Sequence, residues 1–218
     1  MIEKHVHTVK MDSILAEYRS GRAHYDALKD TVEKTIEGRC CHHHVVILNI
    51  LVKLYPIQIY LEIGVHNGTS MSYVVNQPWK PVHCIGIDLF SSTERYARDH
   101  ITIARSEQNI TRLNTSHSTV HLLKGDSQSE SMVKRVQNAL LYKPVDLLFI
   151  DGDHEFAGVE RDFLLYSPFV RSGGLIVFDD ANATYPGVLK CIEKHVKQSN
   201  TFRIIGLFEN TDLIVQKL

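Results

Sequence analysis

From residue 57 onward the chain alternates two kinds of apolar pattern. Short, mostly apolar runs at 57–63, 83–88, 120–124, 145–150 and 174–178 predict buried strands. Between them, stretches at 69–77, 93–108, 128–142, 155–169 and 187–198 carry apolar residues at helical spacing and predict amphipathic helices. Strands alternating with helices imply a parallel sheet with helices on both faces. The tail departs from this rhythm. Phe202–Phe208 and Asp212–Gln216, joined by Glu209-Asn-Thr, read as a terminal β-hairpin, which puts an antiparallel strand at or near a sheet edge.

Upstream, Met11, Ile14, Leu15 and Tyr18, then Leu28, Val32 and Ile36, stand at helical spacing on either side of Gly21, so residues 10–37 predict two helices. Residues 41–54 predict a third, stopped by Pro56. The expected fold is α/β: Rossmann-like and doubly wound, with a mostly parallel seven-stranded sheet, a C-terminal antiparallel hairpin and N-terminal helices. The chain divides into a helical extension over 1–40 and a main domain over 41–218. The polar segment 91–118 reads equally as a helix plus a mobile loop over a pocket or as a solvated excursion.

Length and charge narrow the classes. The 218 residues suffice for a large core. Lys plus Arg (24) nearly balances Asp plus Glu (25), so no basic stripe predicts a nucleic-acid partner and no polybasic segment a membrane surface. The apolar stretch Val45–Leu54 is interrupted by Asn49 and Lys53 and is too short to cross a bilayer, and residues 1–5 lack the apolar core of a signal peptide. The cysteines (Cys40, Cys41, Cys84, Cys191) form no CxxC pair. Reduced thiols and a cytoplasmic location are expected.

The candidate chemistry sits at the predicted C-terminal ends of strands. Glu62-Ile-Gly-Val-His-Asn-Gly68 should turn from strand to helix, with Gly64 and Gly68 permitting close ligand approach and Thr69 and Ser70 donating at the helix start. The spacing is GxxxG, not the GxGxxG that seats a dinucleotide pyrophosphate. S-adenosylmethionine, with an amino-acid end and no phosphate, fits better: Glu62 could answer its ammonium and backbone N–H groups its carboxylate. Asp88, about 20 residues beyond the glycine loop, is placed as a ribose-diol ligand. Asp126 and Ser127 follow the third strand and could meet the adenine edge.

Asp151 and Asp153 end the fourth strand, and Asp179 and Asp180 the fifth. Neighbouring strands lie about 4.8 Å apart, so adjacent placement would crowd these carboxylates until a cation compensated them. Oxygen ligands favour Mg²⁺, with Mn²⁺ or Ca²⁺ as alternatives. His154 is a candidate base because histidine titrates nearest neutrality. His66 reads as a pocket wall. Asn182 and Tyr185 could line an acceptor site or belong to loop surface. His42–His44 point in different directions on a helix and read as a surface feature.

With these residues in view, the chain resembles class I S-adenosylmethionine-dependent methyltransferases. More narrowly, it is similar over about residues 45–200 to the group of macrocin and rhamnosyl O-methyltransferases and cephalosporin-hydroxylase-like proteins (methyltransferase family 24 type). Ile150-Asp-Gly-Asp-His-Glu-Phe-Ala-Gly-Val-Glu-Arg-Asp162 and Ser172–Asp180 carry the resemblance. It implies that Asp151, Asp179 and Asp180 are metal ligands, that Asp151 also lies at the cofactor, that Asp153 is the general base ahead of His154, and that residues 41–218 form the methyltransferase domain. Many relatives have His-Asp in place of Asp179-Asp180, and an aromatic residue in place of Ala181.

The implied activity is metal-dependent O-methyl transfer to a hydroxyl of a sugar, in a glycan or a glycosylated metabolite, with rhamnose as one example. Competing readings are methyl transfer to a non-sugar small molecule, a hydroxylase-like relative, a non-catalytic nucleoside-binding module, and an NAD-binding dehydrogenase, which the missing GxGxxG disfavours. The expected partners are a small-molecule or glycan acceptor, without nucleic acid or membrane insertion. A homo-oligomer stays open, since the N-terminal helices could swap between subunits, close the acceptor pocket or cover the sheet.

Overall fold

The structure is a computed structural model that describes residues 8–38, 43–91 and 101–218. Cys40, Cys41 and His42, and the first part of the helix expected over 93–108, lie outside the described residues.

Seven strands form one sheet in the order β3-β2-β1-β4-β5-β7-β6. They are β1 (Ile59–Ile63), β2 (His83–Asp88), β3 (Thr119–Lys124), β4 (Val145–Ile150), β5 (Val170–Phe178), β6 (Phe202–Phe208) and β7 (Asp212–Lys217). The first five pair in parallel, and β7 runs antiparallel to both β5 and β6. The expected α/β architecture is therefore present, with its hairpin. The antiparallel β7 sits one strand inside the edge, between β5 and β6.

Among the described residues, eight α-helices flank the sheet: α1 (Met11–Ser20), α2 (Arg22–Thr35), α3 (Val46–Leu54), α4 (Thr69–Val75), α5 (Ile103–Leu113), α6 (Glu130–Ala139), α7 (Phe156–Tyr166) and α8 (Pro186–Ile192). β1 and β4 are buried along their whole length, as expected of strands covered on both faces. Because successive side chains alternate across a strand, the sheet feeds two separate cores. Tyr60, Leu147, Phe149, Leu175, Val177 and Ile214 join the core on the α1–α5 side. Leu61, Ile63, Leu148, Ile150, Ile176, Phe178 and Val215 join the core on the α6–α8 side.

The N-terminal helices belong to the first of these cores. Ile14, Tyr18, Tyr25, Leu28 and Val32 are buried with α3 and α4, so α1 and α2 cover the sheet's helical layer. No helix among the described residues is long and apolar enough to cross a membrane. Cys84 and Cys191 are buried free thiols.

Strand order reverses between β1 and β4, whose neighbours lie on opposite sides. Such a switch point opens a crevice above the C-terminal strand ends. Hydrogen bonding continues one residue past the strands there: Gly64 N–H to Ile87 O, Gly125 N–H to Asp88 O, Asp151 N–H to Ile63 O and Asp179 N–H to Ile150 O. The residues singled out by the sequence are thus held by the sheet in fixed register.

Candidate active site

A cleft of about 490 Å³ lies over this edge. Gly64, His66, Asp88, Asp126 and Ser127 line one part, and Asp151, Asp153, His154, Asp180 and Tyr185 the other. Asp162, on α7, lies beneath Ser127. Eight of the thirteen residues proposed from sequence for cofactor, metal or catalysis are consequently brought to one cavity. Glu62, Gly68, Thr69, Ser70 and Asp179 are not among its lining.

Gly64 has φ +92°, and a Cβ there would lie 1.9 Å from the carbonyl oxygen of Asp151. Its first constraint is the close crossing of β1 and β4, not ligand approach alone. Gly68 has φ +82° and precedes α4, and a Cβ there would strike Ile110 on α5. Gly68 therefore serves helix packing. Glu62 faces away from the cleft and is fully buried. It accepts hydrogen bonds from the Tyr60 hydroxyl at 2.7 Å and from the Ser70 hydroxyl. Burial pushes its carboxyl up to about 7, against the effect of those hydroxyls. Thr69 and Ser70 are buried in the first turn of α4. Glu62, Thr69 and Ser70 thus form the support behind the glycine turn.

Asp88 holds the turn from the other side. Its Oδ2 accepts the His66 N–H at 2.8 Å and its Oδ1 the Phe90 N–H at 2.6 Å. Each oxygen keeps a further lone pair for the cleft. Beyond β3, Asp126 accepts the Gln128 N–H at 2.8 Å, and the Ser127 hydroxyl donates to Asp162 at 2.7 Å. Burial pushes the Asp162 carboxyl up to about 7. Asp162 was not singled out from sequence. Its helical position, 1 % exposed, gave no sign that it reaches back under Ser127.

The acid cluster divides in two. Asp151, His154 and Asp180 offer donor atoms that all lie within 4.8 Å of one another. His154 Nε2 is 2.8 Å from Asp180 Oδ2 and 3.7 Å from Asp151 Oδ1. Tyr185 lies against the same imidazole, with ring centres 4.5 Å apart. Asp179 stands between this group and a second one, pressing on Asp151 from the buried side. Its carboxylate groups with His44 and Asp212, again with donors within 4.8 Å. Of the expected ligand set, Asp151 and Asp180 thus group with His154, while Asp179, still beside Asp151, also meets His44 and Asp212.

Just past β5, Asp179 is buried on the side of His44, while Asp180, in a left-handed turn at φ +55°, directs its carboxylate at His154. His44 is a correction too. Rather than a surface feature, it is a partly buried side chain 2.9 Å from Asp212 Oδ2. Asp153 is exposed at the rim, where its Oδ1 accepts the Glu155 N–H at 2.9 Å at the start of α7. Asn182 stays out of the cleft and pins its own turn by accepting the Thr184 N–H.

Electrostatics follow from this crowding. Burial, and then Asp179 and Asp180, hold the Asp151 carboxyl well above the usual carboxylate range. Among the described residues, the ion-pair partners of Asp151, Asp179, Asp180 and Asp212 are His44 and His154, with no lysine or arginine. The Nε2 of His154 is buried and lacks a well-directed hydrogen bond. Nitrogen and oxygen donors converging with excess negative charge fit a divalent cation. The cleft itself, with a carboxylate at the β2 end and polar groups past β3, fits a nucleoside.

The sequence pattern of the family described as a methyltransferase domain matches residues 61–181, more than half of the chain and the whole span from β1 to the turn after β5. Protein R132 of Acanthamoeba polyphaga mimivirus, itself uncharacterised, is 31% identical over 194 residues, covering 82% of this chain and 81% of its own. Among solved structures, the calicheamicin methyltransferase CalS11 superimposes with a TM-score of 0.56 at 14% identity, over 91% of this chain and 80% of that one. An O-methyltransferase from Bacillus cereus, solved with S-adenosylhomocysteine, gives 0.58 at 16% identity over 97% and 94%. Sheet order, the cleft at the switch point and the family match agree: the chain belongs to the methyltransferase-domain family and has the class I, S-adenosylmethionine-dependent fold.

Proposed function

We propose that the protein transfers a methyl group from S-adenosylmethionine to a hydroxyl oxygen, with a divalent cation at the acceptor end of the cleft. The single observation that carries this reading is the division of one cavity into a nucleoside-like half at Asp88, Asp126 and Ser127 and a donor-rich half at Asp151, His154 and Asp180.

In this reading Asp88 would take the ribose diol with the lone pairs left over from His66 and Phe90. Asp126 and Ser127 would meet the adenine edge. The backbone at Gly64 would face the amino-acid end, with Glu62 shaping that turn from behind. The sulfonium supplies an already activated methyl group. Asp151, His154 and Asp180 would hold the cation, which lowers the pKa of a bound hydroxyl. Asp153, at the open rim, is placed to remove the acceptor proton, and Tyr185 to form an apolar wall for the acceptor. General-base action of this kind contributes about 10²–10⁴-fold.

A sugar acceptor is the favoured class. It rests on the resemblance to the rhamnosyl O-methyltransferases and on the structural likeness to CalS11, which is described as a TDP-rhamnose 3'-O-methyltransferase. The test combines calorimetry with S-adenosylhomocysteine and a radiolabelled methyl-transfer assay on deoxysugar nucleotides, with and without chelator. We expect cofactor-product binding in both conditions and turnover only with metal. Asp153→Ala should lower turnover by about 10²-fold or more while leaving product affinity within a few-fold. Turnover that is indifferent to chelator would remove the cation from the proposal.

A further inference from the structure

Helix α7 holds the loop after β3 by three side chains. Asp162 and Tyr166 stand four residues apart and so share one face of the helix. Asp162 Oδ1 accepts the Ser127 hydroxyl at 2.7 Å, and the Tyr166 hydroxyl donates to the Ser127 carbonyl at 2.6 Å. Beside them, Arg161 Nε donates to the Gln128 carbonyl at 3.0 Å. Asp162 also reaches the turn after β4, where a Cβ at Gly152 would lie 3.2 Å from its Oδ2. Ser127, Gly152 and Asp162 all line the cleft.

We propose that Asp162 sets which purine the cleft accepts, by taking the Ser127 proton and leaving that hydroxyl to face the base as an acceptor only. The ligand class so selected is a 6-aminopurine nucleoside, whose exocyclic amine donates, over a 6-oxopurine, whose carbonyl does not. Asp162 acts here through Ser127, as a positioning residue, and this role rests on the reading of Asp126 and Ser127 as the adenine end of the cleft.

The polarity follows from counting protons. A hydroxyl has one proton and two lone pairs, and an ionised carboxylate only accepts. At the contact between Ser127 and Asp162 the proton therefore comes from Ser127 and points away from the base. Asp126 has the same polarity: it accepts the Gln128 N–H at 2.8 Å and offers no donor of its own. The side chains of this loop thus present acceptors to the purine. An amine satisfies them. A carbonyl at the same position would set oxygen against oxygen, and a site built to hydrogen-bond one substituent rejects the counterpart that leaves its groups unpaired.

Packing alone does not account for Asp162. It is 1 % exposed, and among the described residues its hydrogen-bond donor is Ser127. Burial, and then the carboxylates of Asp153 and Asp126, disfavour its charge. A leucine of similar shape would fill the space without that cost.

The test reads a ratio. Dissociation constants for S-adenosylhomocysteine and for its hypoxanthine counterpart, S-inosylhomocysteine, are measured by calorimetry on the full chain. About pH 8 is chosen, above the Asp162 carboxyl at about 7. The wild type should prefer the adenine ligand by about 100-fold or more. Asp162→Leu excludes water and offers no acceptor, so the Ser127 proton is released to the cleft. Asp162→Leu and Ser127→Ala should each cut the preference by about 10-fold, and the double variant no further. A loop that had merely loosened would weaken both ligands alike and leave the ratio where it was. Ser127→Ala leaves α7 untouched, so it decides the matter even where Asp162→Leu does not fold.

An unchanged ratio in either variant would overturn the proposal, because Asp162 would then not act on the base through Ser127. Equal wild-type affinity for the two ligands would overturn it as well, while leaving the nucleoside reading of the cleft in place. A wild type that binds neither ligand would remove that reading, and this inference with it.

Discussion

Asp88 divides its carboxylate between the protein and the cleft, and Asp88→Asn separates the two uses. Both backbone donors, from His66 at 2.8 Å and Phe90 at 2.6 Å, are satisfied by different oxygens of the same side chain. An asparagine has one accepting oxygen, so one bond is lost and an NH₂ group is set against a backbone N–H. A hydrogen bond to a charged group is worth about 1.5–3 kcal/mol. Asp88 is only half-buried, so water recovers part of this. We expect a stability loss of about 1–2 kcal/mol, and for a chain of this size Tm falls about 2–4 °C per kcal/mol. On the proposed reading, the same change also removes the charge that would face the ribose hydroxyls. S-adenosylhomocysteine should bind about 10–100-fold more weakly, equivalent to about 1.4–2.8 kcal/mol. Calorimetry with S-adenosylhomocysteine and with adenosine, alongside thermal melts, reads both effects. The two ligands should weaken by the same factor, because Asp88 meets only the part they share. A variant that melts lower yet binds S-adenosylhomocysteine within twofold of the wild type would show that Asp88 only staples the loop, and the nucleoside half of the cleft would lose its anchor.

Two further outcomes follow from backbone geometry and buried charge. Gly64→Ala adds a Cβ 1.9 Å from the Asp151 carbonyl oxygen at φ +92°. Strain and overlap together should cost about 2–6 kcal/mol, visible as a lower urea midpoint; an unchanged midpoint would mean that β1 and β4 do not cross there as described. Asp162 has a folded-state carboxyl raised to about 7 by burial, so the folded state holds its proton more tightly than the unfolded state. Its contribution to stability is full below the unfolded value near 4 and is lost as pH rises through about 7. Asp162→Asn should therefore gain stability relative to the wild type between pH 5 and 8, by up to about 4 kcal/mol. Urea titrations at both pH values test this, and parallel curves would refute it.

Much of this molecule was legible because parallel strands buried on both faces leave long apolar runs, and each run ends where function begins. Asp88, Asp151 and Asp180 could be placed at the cleft from the acid that closes each run. The N-terminal helices were legible as helices from Ile14, Tyr18, Leu28 and Val32. Their destination was not, since an apolar stripe says that something covers it without saying what. The partners of His44, Asp162 and Asp212 were not legible for a related reason. Each reaches its partner through a contact between elements far apart in the chain, and no local spacing records that.

Asp179 and Glu62 are different, because the information to place them was present. Alternation with a period of two assigns every residue of a buried strand to one face or the other. Tyr60 and Glu62 share a face, as do Val177 and Asp179, while Phe178 and Asp180 share the opposite one. Two consecutive acids at a strand end therefore cannot both continue into the same cleft unless the backbone turns between them. Here Asp180 does adopt φ +55°, yet the two side chains still part, one toward His154 and the other toward His44. A motif read as a string puts Asp179 and Asp180 together on one ion. In the folded chain both press on Asp151, yet Asp179 also meets His44 and Asp212 and Asp180 meets His154, so the acid pair ending β5 links two polar clusters where the string suggested one.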